Sequence, residues 1–210
     1  ACFHGKSGEM VSEVFSPPRV VEQAARHGLT PGKSYDLVTG WDLRDPVQVK
    51  AMWKQLHEDR PLLVVLSPPC TAFSPLQEWN FPRMSVRNAV RLIVGGLEHL
   101  ELSMQIAKWQ HRQGRYFMFE HPDLAKSWEE DCVEKVAEME GVFRVTCDMC
   151  RFNLRADGVE LNRKPTGLLL NSEEMARHLS RRCQGGHEHQ PLLHGLARKE
   201  QKYTMEFCRA

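Results

Sequence analysis

The run Leu62-Leu63-Val64-Val65-Leu66, stopped at once by Ser67-Pro68-Pro69, constrains the fold of this chain more than any other feature. Consecutive aliphatic residues in a strand point to both of its faces, so neither face can meet water. Such a strand suits the interior of a parallel sheet covered by helices. The neighbouring segments supply those helices and further strands. Val11 to Phe15 is a short apolar stretch halted by Ser16-Pro17-Pro18, and Arg19 to His27 has helical spacing and ends at Gly28. Tyr35 to Val38 reads as a second strand leading into Gly40-Trp41-Asp42. Asp45-Pro46 then opens a helix to about Glu58, with proline in the first turn, where its missing N–H is not needed. A long amphipathic helix is expected from Val86 to Arg112, then a strand at Tyr116 to Phe119, a helix at Trp128 to Glu138, and strands at Val142 to Thr146 and Leu168 to Leu170. Ser172 to Arg182 and Arg198 to Phe207 look helical on either side of the Gly- and His-rich stretch Cys183 to Gly195. This alternation predicts an α/β fold: an open, mostly parallel sheet with helices on both faces and ligands at the carboxyl ends of its strands.

With 210 residues, the chain is expected to form one domain, a core of about 11–171 with a helical, His-rich tail over 172–210. No apolar run approaches the ~20 residues a membrane helix needs, and the polar start Ala1 to Met10 is unlike a secretory leader. Both point to an intracellular protein without membrane contact. The ends of the chain read as those of a piece cut from a longer polypeptide, with further domains as partners. A formal charge of +1 gives no bulk argument for nucleic acid, so any basic surface must be local. Seven cysteines, irregularly spaced, favour thiols, a nucleophile or a metal site over a disulfide framework.

Cys70 follows the buried strand in a rigid Pro-Pro turn, Ser67-Pro68-Pro69-Cys70-Thr71-Ala72-Phe73-Ser74, where a nucleophile would be presented; the alternative is a structural thiol capping a strand. The next strand ends in Phe119-Glu120-His121-Pro122, and Asn162-Arg163-Lys164-Pro165 precedes the last strand. In this order the segments resemble the cytosine-C5 methyltransferases, a class I S-adenosylmethionine-dependent family with a Rossmann-like fold, and in particular divergent methyltransferase-like domains of mobile elements and phages. The resemblance covers about Glu13 to Asn171. It implies transfer of a methyl group from S-adenosylmethionine, leaving S-adenosylhomocysteine, to a nucleic-acid base, with DNA ahead of RNA as partner. Cys70 would add as thiolate to C6 of cytosine and so make C5 nucleophilic, Glu120 would donate a proton to N3, and Arg163 would contact base or phosphate.

For the cofactor, the resemblance implies Phe15 and Ser16 after the first strand, Arg19 against the carboxylate, Asp36 on the ribose hydroxyls, Asp42 on the adenine amine, and Pro68. The family's glycine-rich turn is replaced by Ser16-Pro17-Pro18, so the helix N-terminus would bind the carboxylate through backbone amides. Asp36 and Asp42 read equally as turn formers beside Gly40. Arg151, Arg155, Arg163 and Lys164, and the helical stripe Arg83, Arg87 and Arg91, offer local phosphate contacts or merely solvated faces. Cys147, Cys150, Cys183, His187 and His189, with His194 as a substitute, contain the soft ligands a zinc ion takes, or are buried thiols and polar loop histidines. Two other functions remain open. An exocyclic-amine (N4 or N6) methyltransferase would carry an aromatic residue where Cys70 stands, and a degenerate methyltransferase fold would bind nucleic acid or protein without catalysis.

Overall fold

The computed structural model describes residues 11–155, 158–190 and 203–210. Six strands, β1 Val11–Val14, β2 Pro31–Tyr35, β3 Leu63–Leu66, β4 Tyr116–Pro122, β5 Phe143–Asp148 and β6 Pro165–Leu170, form one open sheet in the order β2-β1-β3-β4-β6-β5. The β1–β2, β1–β3 and β3–β4 pairs are parallel, and β6 runs antiparallel to both β4 and β5. The sheet is therefore mostly parallel, with one reversed strand inserted near its edge.

The aliphatic run does divide between two faces. Val64 and Leu66 join Val14, Phe117, Phe119 and Leu169 on one face, packed against helices α2 (Pro46–Asp59), α4 (Val86–Arg112) and α5 (Asp131–Ala137). Val65 joins Met118, Leu168 and Leu170 on the other, covered by α6 (Glu173–Leu179) and by Phe207 of the short C-terminal helix Met205–Arg209, with Val20 of α1 (Val20–Ala24) packed alongside. Burial of this kind is worth about 25 cal/mol per Å² of apolar surface and is the main force holding helices to sheet.

Several helix boundaries follow from local chemistry. Asp45 accepts from Val47 N ahead of Pro46, and Ser85 accepts from Asn88 N to start α4. The α1 segment ends at Gly28, whose φ of 74° a side chain would resist. The second strand departs from expectation: it occupies Pro31–Tyr35, and Leu37–Thr39 is a tight turn capped reciprocally by Asp36 and Thr39. Leu37 and Val38 are exposed there, so their apolarity reflects no core face. The loop after Phe73 also holds a short helix, α3 (Pro75–Asn80), that the sequence pattern did not suggest. Of the helix expected at Arg198 to Phe207, residues up to 202 lie outside the described residues, as do the polar start Ala1 to Met10 and His194.

Candidate active site and metal cluster

Strand order reverses direction after β1, since β2 lies to one side and β3 to the other, and the carboxyl ends of those two strands bound the crevice where open α/β sheets bind ligands. The Pro-Pro-Cys loop leaves β3 at this edge. Its first amide, Ser67 N, still donates to Val14 O at 3.1 Å. Cys70 then begins a tight turn, Thr71–Phe73, closed by Phe73 N donating to Cys70 O at 3.0 Å. Two contacts hold this loop. Gly96 of α4 abuts Ala72 so closely that an added Cβ would lie 2.6 Å from the alanine methyl. His121, buried at the end of β4, bridges Pro68 O (Nε2, 3.0 Å) and the Ser127 hydroxyl (Nδ1, 2.6 Å). The Pro68 carbonyl can only accept, so Nε2 carries the proton and Nδ1 accepts from Ser127. Burial lowers this imidazole to about 4, so it is neutral at physiological pH and acts as a strut.

Cys70 lies within electrostatic reach of Glu120 and Lys164. Lys164 Nζ is 3.8 Å from Glu120 Oε1. Burial pushes the Cys70 thiol up, the Glu120 charge adds to that rise, and the Lys164 ammonium opposes it. The thiol is therefore the resting form, and Lys164 is the nearby group that favours thiolate. Three strands supply this trio, β3 through its following loop, β4 through Glu120, and β6 through the residue preceding it. Tyr203 reaches the same edge from the C-terminal segment, where its hydroxyl and that of Ser67 share a short hydrogen bond and its ring stacks on Phe207.

Arg163 is placed elsewhere. Its guanidinium binds Asp148 at 3.1 Å, while Lys164 is the basic residue beside Glu120. Sequence reasoning included Lys164 only in a general basic strip, because a one-residue difference in register decides which of the two faces the thiol.

The residues expected around a cofactor divide into two sets. Phe15, with a left-handed φ of 58°, packs its ring 4.8 Å from that of His99 on α4. Asp42 lies in the same neighbourhood, clamped bidentately by Arg44 at 2.8 and 2.9 Å, which holds its carboxyl at about 2. His99 was not anticipated; its buried Nε2 has no hydrogen-bond partner among the described residues. The only sequence signal was a polar residue on the apolar side of a long amphipathic helix. Asp36 Oδ1 accepts from Val38 N, so one carboxylate oxygen serves the turn.

The other set requires a correction. The N-terminal amides of α1 were expected to meet a ligand carboxylate, but the buried Glu13 already fills that role, accepting from Arg19 N (2.9 Å) and Val21 N (2.8 Å). Ser16 donates its hydroxyl to the same carboxylate at 2.9 Å. The Arg19 side chain pairs at 3.4 Å with Glu22. A strand-end carboxylate facing three donors of the loop and helix that follow it leaves those donors nothing to offer a ligand. The Pro68 carbonyl is likewise held by His121. Two surface clefts, one beside Trp128, Val133 and Arg144 and one beside Glu101, Lys108 and Cys132, involve no residue of the Cys70 loop.

A separate cluster gathers Cys150, Cys183, His187 and His189, whose ligand atoms all lie within 4.8 Å of one another. This set could hold a metal ion. Cys147 does not belong to it: strand alternation turns its side chain into the second core face, where it is fully buried. Among the described residues no helix is long and apolar enough to cross a membrane. Neither a comparison with protein-family models nor one with curated proteins gives a match.

Proposed function

We propose that the chain is a class I, Rossmann-like S-adenosylmethionine-dependent methyltransferase that modifies a nucleic-acid base, with cytosine C5 as target and DNA as the preferred substrate. The observation that carries this reading is the convergence of Cys70, Glu120 and Lys164, from three strands, at the carboxyl edge of the sheet. A partly buried thiol with a carboxyl and an ammonium group around it suits addition to an electron-poor ring better than it suits a structural cysteine.

The fit to the methyl donor rests on Phe15, Asp36 and His99. Phe15 offers an aromatic face at the switch point, Asp36 a carboxylate near the end of β2, and the buried Nε2 of His99 a polar group with no hydrogen-bond partner among the described residues. S-adenosylmethionine would supply an electrophilic methyl group there. On the protein side, Cys70 gives its proton to the Glu120 carboxylate and is left as a thiolate that Lys164 stabilises; the thiolate adds to C6 while Glu120 passes that proton to N3 and the ring electrons move toward C5. After methylation, water takes the C5 proton, the freed electron pair re-forms the C5–C6 double bond and expels the thiolate from C6, and N3 returns its proton to Glu120, which passes it back to Cys70.

The exposed arginines Arg83, Arg87 and Arg91, with Trp79 exposed on the adjoining α3, suit a strand of nucleic acid approaching the loop that α4 supports. The target base must be unpaired or turned out of the duplex to reach Cys70.

Covalent trapping tests the mechanism: a 5-fluorocytosine oligonucleotide with S-adenosylmethionine should form an adduct with the native chain and none with Cys70→Ser. Methyl transfer that survives Cys70→Ser would move the assignment to an exocyclic amine. One observation favours a second reading, a binding module without catalysis: Glu13 fills the helix end that a cofactor carboxylate would use. Calorimetric titration with S-adenosylmethionine and S-adenosylhomocysteine separates the two. Binding weakened by Asp36→Ala supports the enzyme, and no binding at millimolar ligand supports the module.

A further inference from the structure

We propose that Cys150, Cys183, His187 and His189 form a closed, tetrahedral zinc(II) site that ties the 183–190 loop to the turn after β5. This inference is independent of the methyl-transfer reading.

The distances favour an ion. Zinc bonds of ~2.3 Å to sulfur and ~2.0–2.1 Å to nitrogen, at tetrahedral angles, put neighbouring ligand atoms roughly 3.3–3.8 Å apart, with mixed sulfur–nitrogen edges near 3.5 Å. The Cys183 sulfur lies 3.6 Å from His187 Nε2 and 3.5 Å from His189 Nε2. The two Nε2 atoms are 3.0 Å apart, somewhat inside the tetrahedral edge and open to a small separation as an ion enters. Both imidazoles thus present the same nitrogen to one point beside two sulfurs. Two sulfur and two nitrogen donors select zinc over the oxygen-seeking magnesium and calcium, and four protein ligands leave no position for substrate.

The surrounding chain is built to hold this arrangement. Left-handed Gly185 and Gly186, at φ 81° and 79°, turn the loop so that His187 faces back toward Cys183. Gly185 N donates to the Cys183 sulfur at 3.4 Å, a contact that supports a thiolate. Cys183 N donates at 2.8 Å to Asp148, which is fully buried and also paired with Arg163 and Arg182. At the far end Gln190 N donates to Leu161 O at 2.9 Å, and Asn162 Nδ2 donates to Gln190 O at 3.0 Å. Both ends of the loop are therefore fastened to the segment that bears Cys150 and Lys164. Met149, next to Cys150, donates its amide to Arg163 O at 2.7 Å. An ion at the cluster would brace the backbone on which Lys164 approaches Glu120.

The test uses the 210-residue chain, expressed with zinc in the medium and purified without chelators. Elemental analysis should find one zinc per chain. Exchange into cobalt(II) should give the intense visible bands of tetrahedral coordination with a thiolate charge-transfer band. Cys183→Ser and His187→Ala should lower zinc to background, whereas Cys147→Ser should retain it in full. A strong chelator should lower the melting temperature of the native chain and leave that of His187→Ala unchanged. The cobalt spectrum and the native-chain measurements need no variant, so a variant that fails to fold does not obscure the answer. A metal-free native chain that takes up no stoichiometric zinc at micromolar concentration would overturn the proposal. A Cys150–Cys183 disulfide seen by mass spectrometry in protein kept under reducing conditions, or octahedral cobalt spectra, would do so as well. None of these readouts requires a base or a methyl donor, so their failure is distinct from failure of the methyltransferase assignment.

Discussion

Two strands of one sheet, β1 and β4, each carry a glutamate near the carboxyl end, Glu13 and Glu120, and the two side chains meet opposite fates. By alternation both project on the same face, away from Val14 and Phe119. Glu13 is wholly buried and its oxygens accept from Arg19 N, Val21 N and the Ser16 hydroxyl. Glu120 faces a lysine 3.8 Å away and a partly exposed thiol. The difference teaches that position at a strand end does not by itself make a carboxylate chemical. What matters is whether the following loop folds back to fill its lone pairs, as Ser16-Pro17-Pro18-Arg19 does, or is pulled aside, as His121 does by reaching across to Pro68 and Ser127.

The strongest way to sharpen this contrast is at the thiol. Cys70→Ser should reduce methyl transfer by at least roughly 10³-fold, measured as tritiated methyl incorporation, while changing stability by no more than about 0.5 kcal/mol; a transfer rate within tenfold of the native chain would remove Cys70 from the chemical role. Glu13→Ala should instead cost stability, about 2–4 kcal/mol in urea unfolding, because it strands buried amides. Its ionisation gives a second readout. Burial, outweighing the local hydrogen bonds, raises the Glu13 carboxyl above the ordinary glutamate value of 4.5. The folded state then binds the proton more tightly than the unfolded chain, so stability should fall as pH rises from about 4.5 toward the raised value. Glu13→Gln should flatten that slope, and an unchanged pH profile would contradict the assignment.

Gly96→Ala should be next in size, about 1–3 kcal/mol as an overpacked contact, and it should lower transfer as well, since the alanine would press on the loop carrying Cys70. Stability lost without any change in transfer would show that the loop tolerates the displacement. Smallest is Arg163→Ala, expected to lower stability only slightly, because its guanidinium is exposed to screening solvent and Arg182 still pairs with Asp148, and to leave transfer within tenfold. Lys164→Ala should lower transfer more than Arg163→Ala does; the reverse order would return the chemical role to Arg163.

Much of this architecture could be read in the residues. The Leu62 to Leu66 run, the span of α4, and the Asp45-Pro46 start of α2 all follow from periodicity and capping that act within a few residues. The strand expected at Tyr35 to Val38 failed because apolar residues in a turn look like strand residues when exposure is unknown. Convergence of Cys70 and Glu120 was legible because both lie at strand ends, and strand ends share an edge. The choice of Lys164 over Arg163 was not legible, since successive residues point oppositely and only the buried Asp148 decides which one is drawn away. Glu13 escaped notice for a related reason: a single carboxylate in a short apolar strand gives no sign that amides six and eight residues later will return to it.

The insertion of β6 between β4 and β5 bears on how the molecule comes into being. Among the described residues strand β5 pairs with β6 alone, so there it has no ladder partner until the later strand has been made. Pairings that wait on distant chain are slow to form. On a ribosome adding ~5–20 residues per second, the stretch from Cys70 to Lys164 takes about 5–20 s to appear. Throughout that interval the nascent Cys70 thiol is without the Lys164 ammonium that stands within its electrostatic reach in the folded chain.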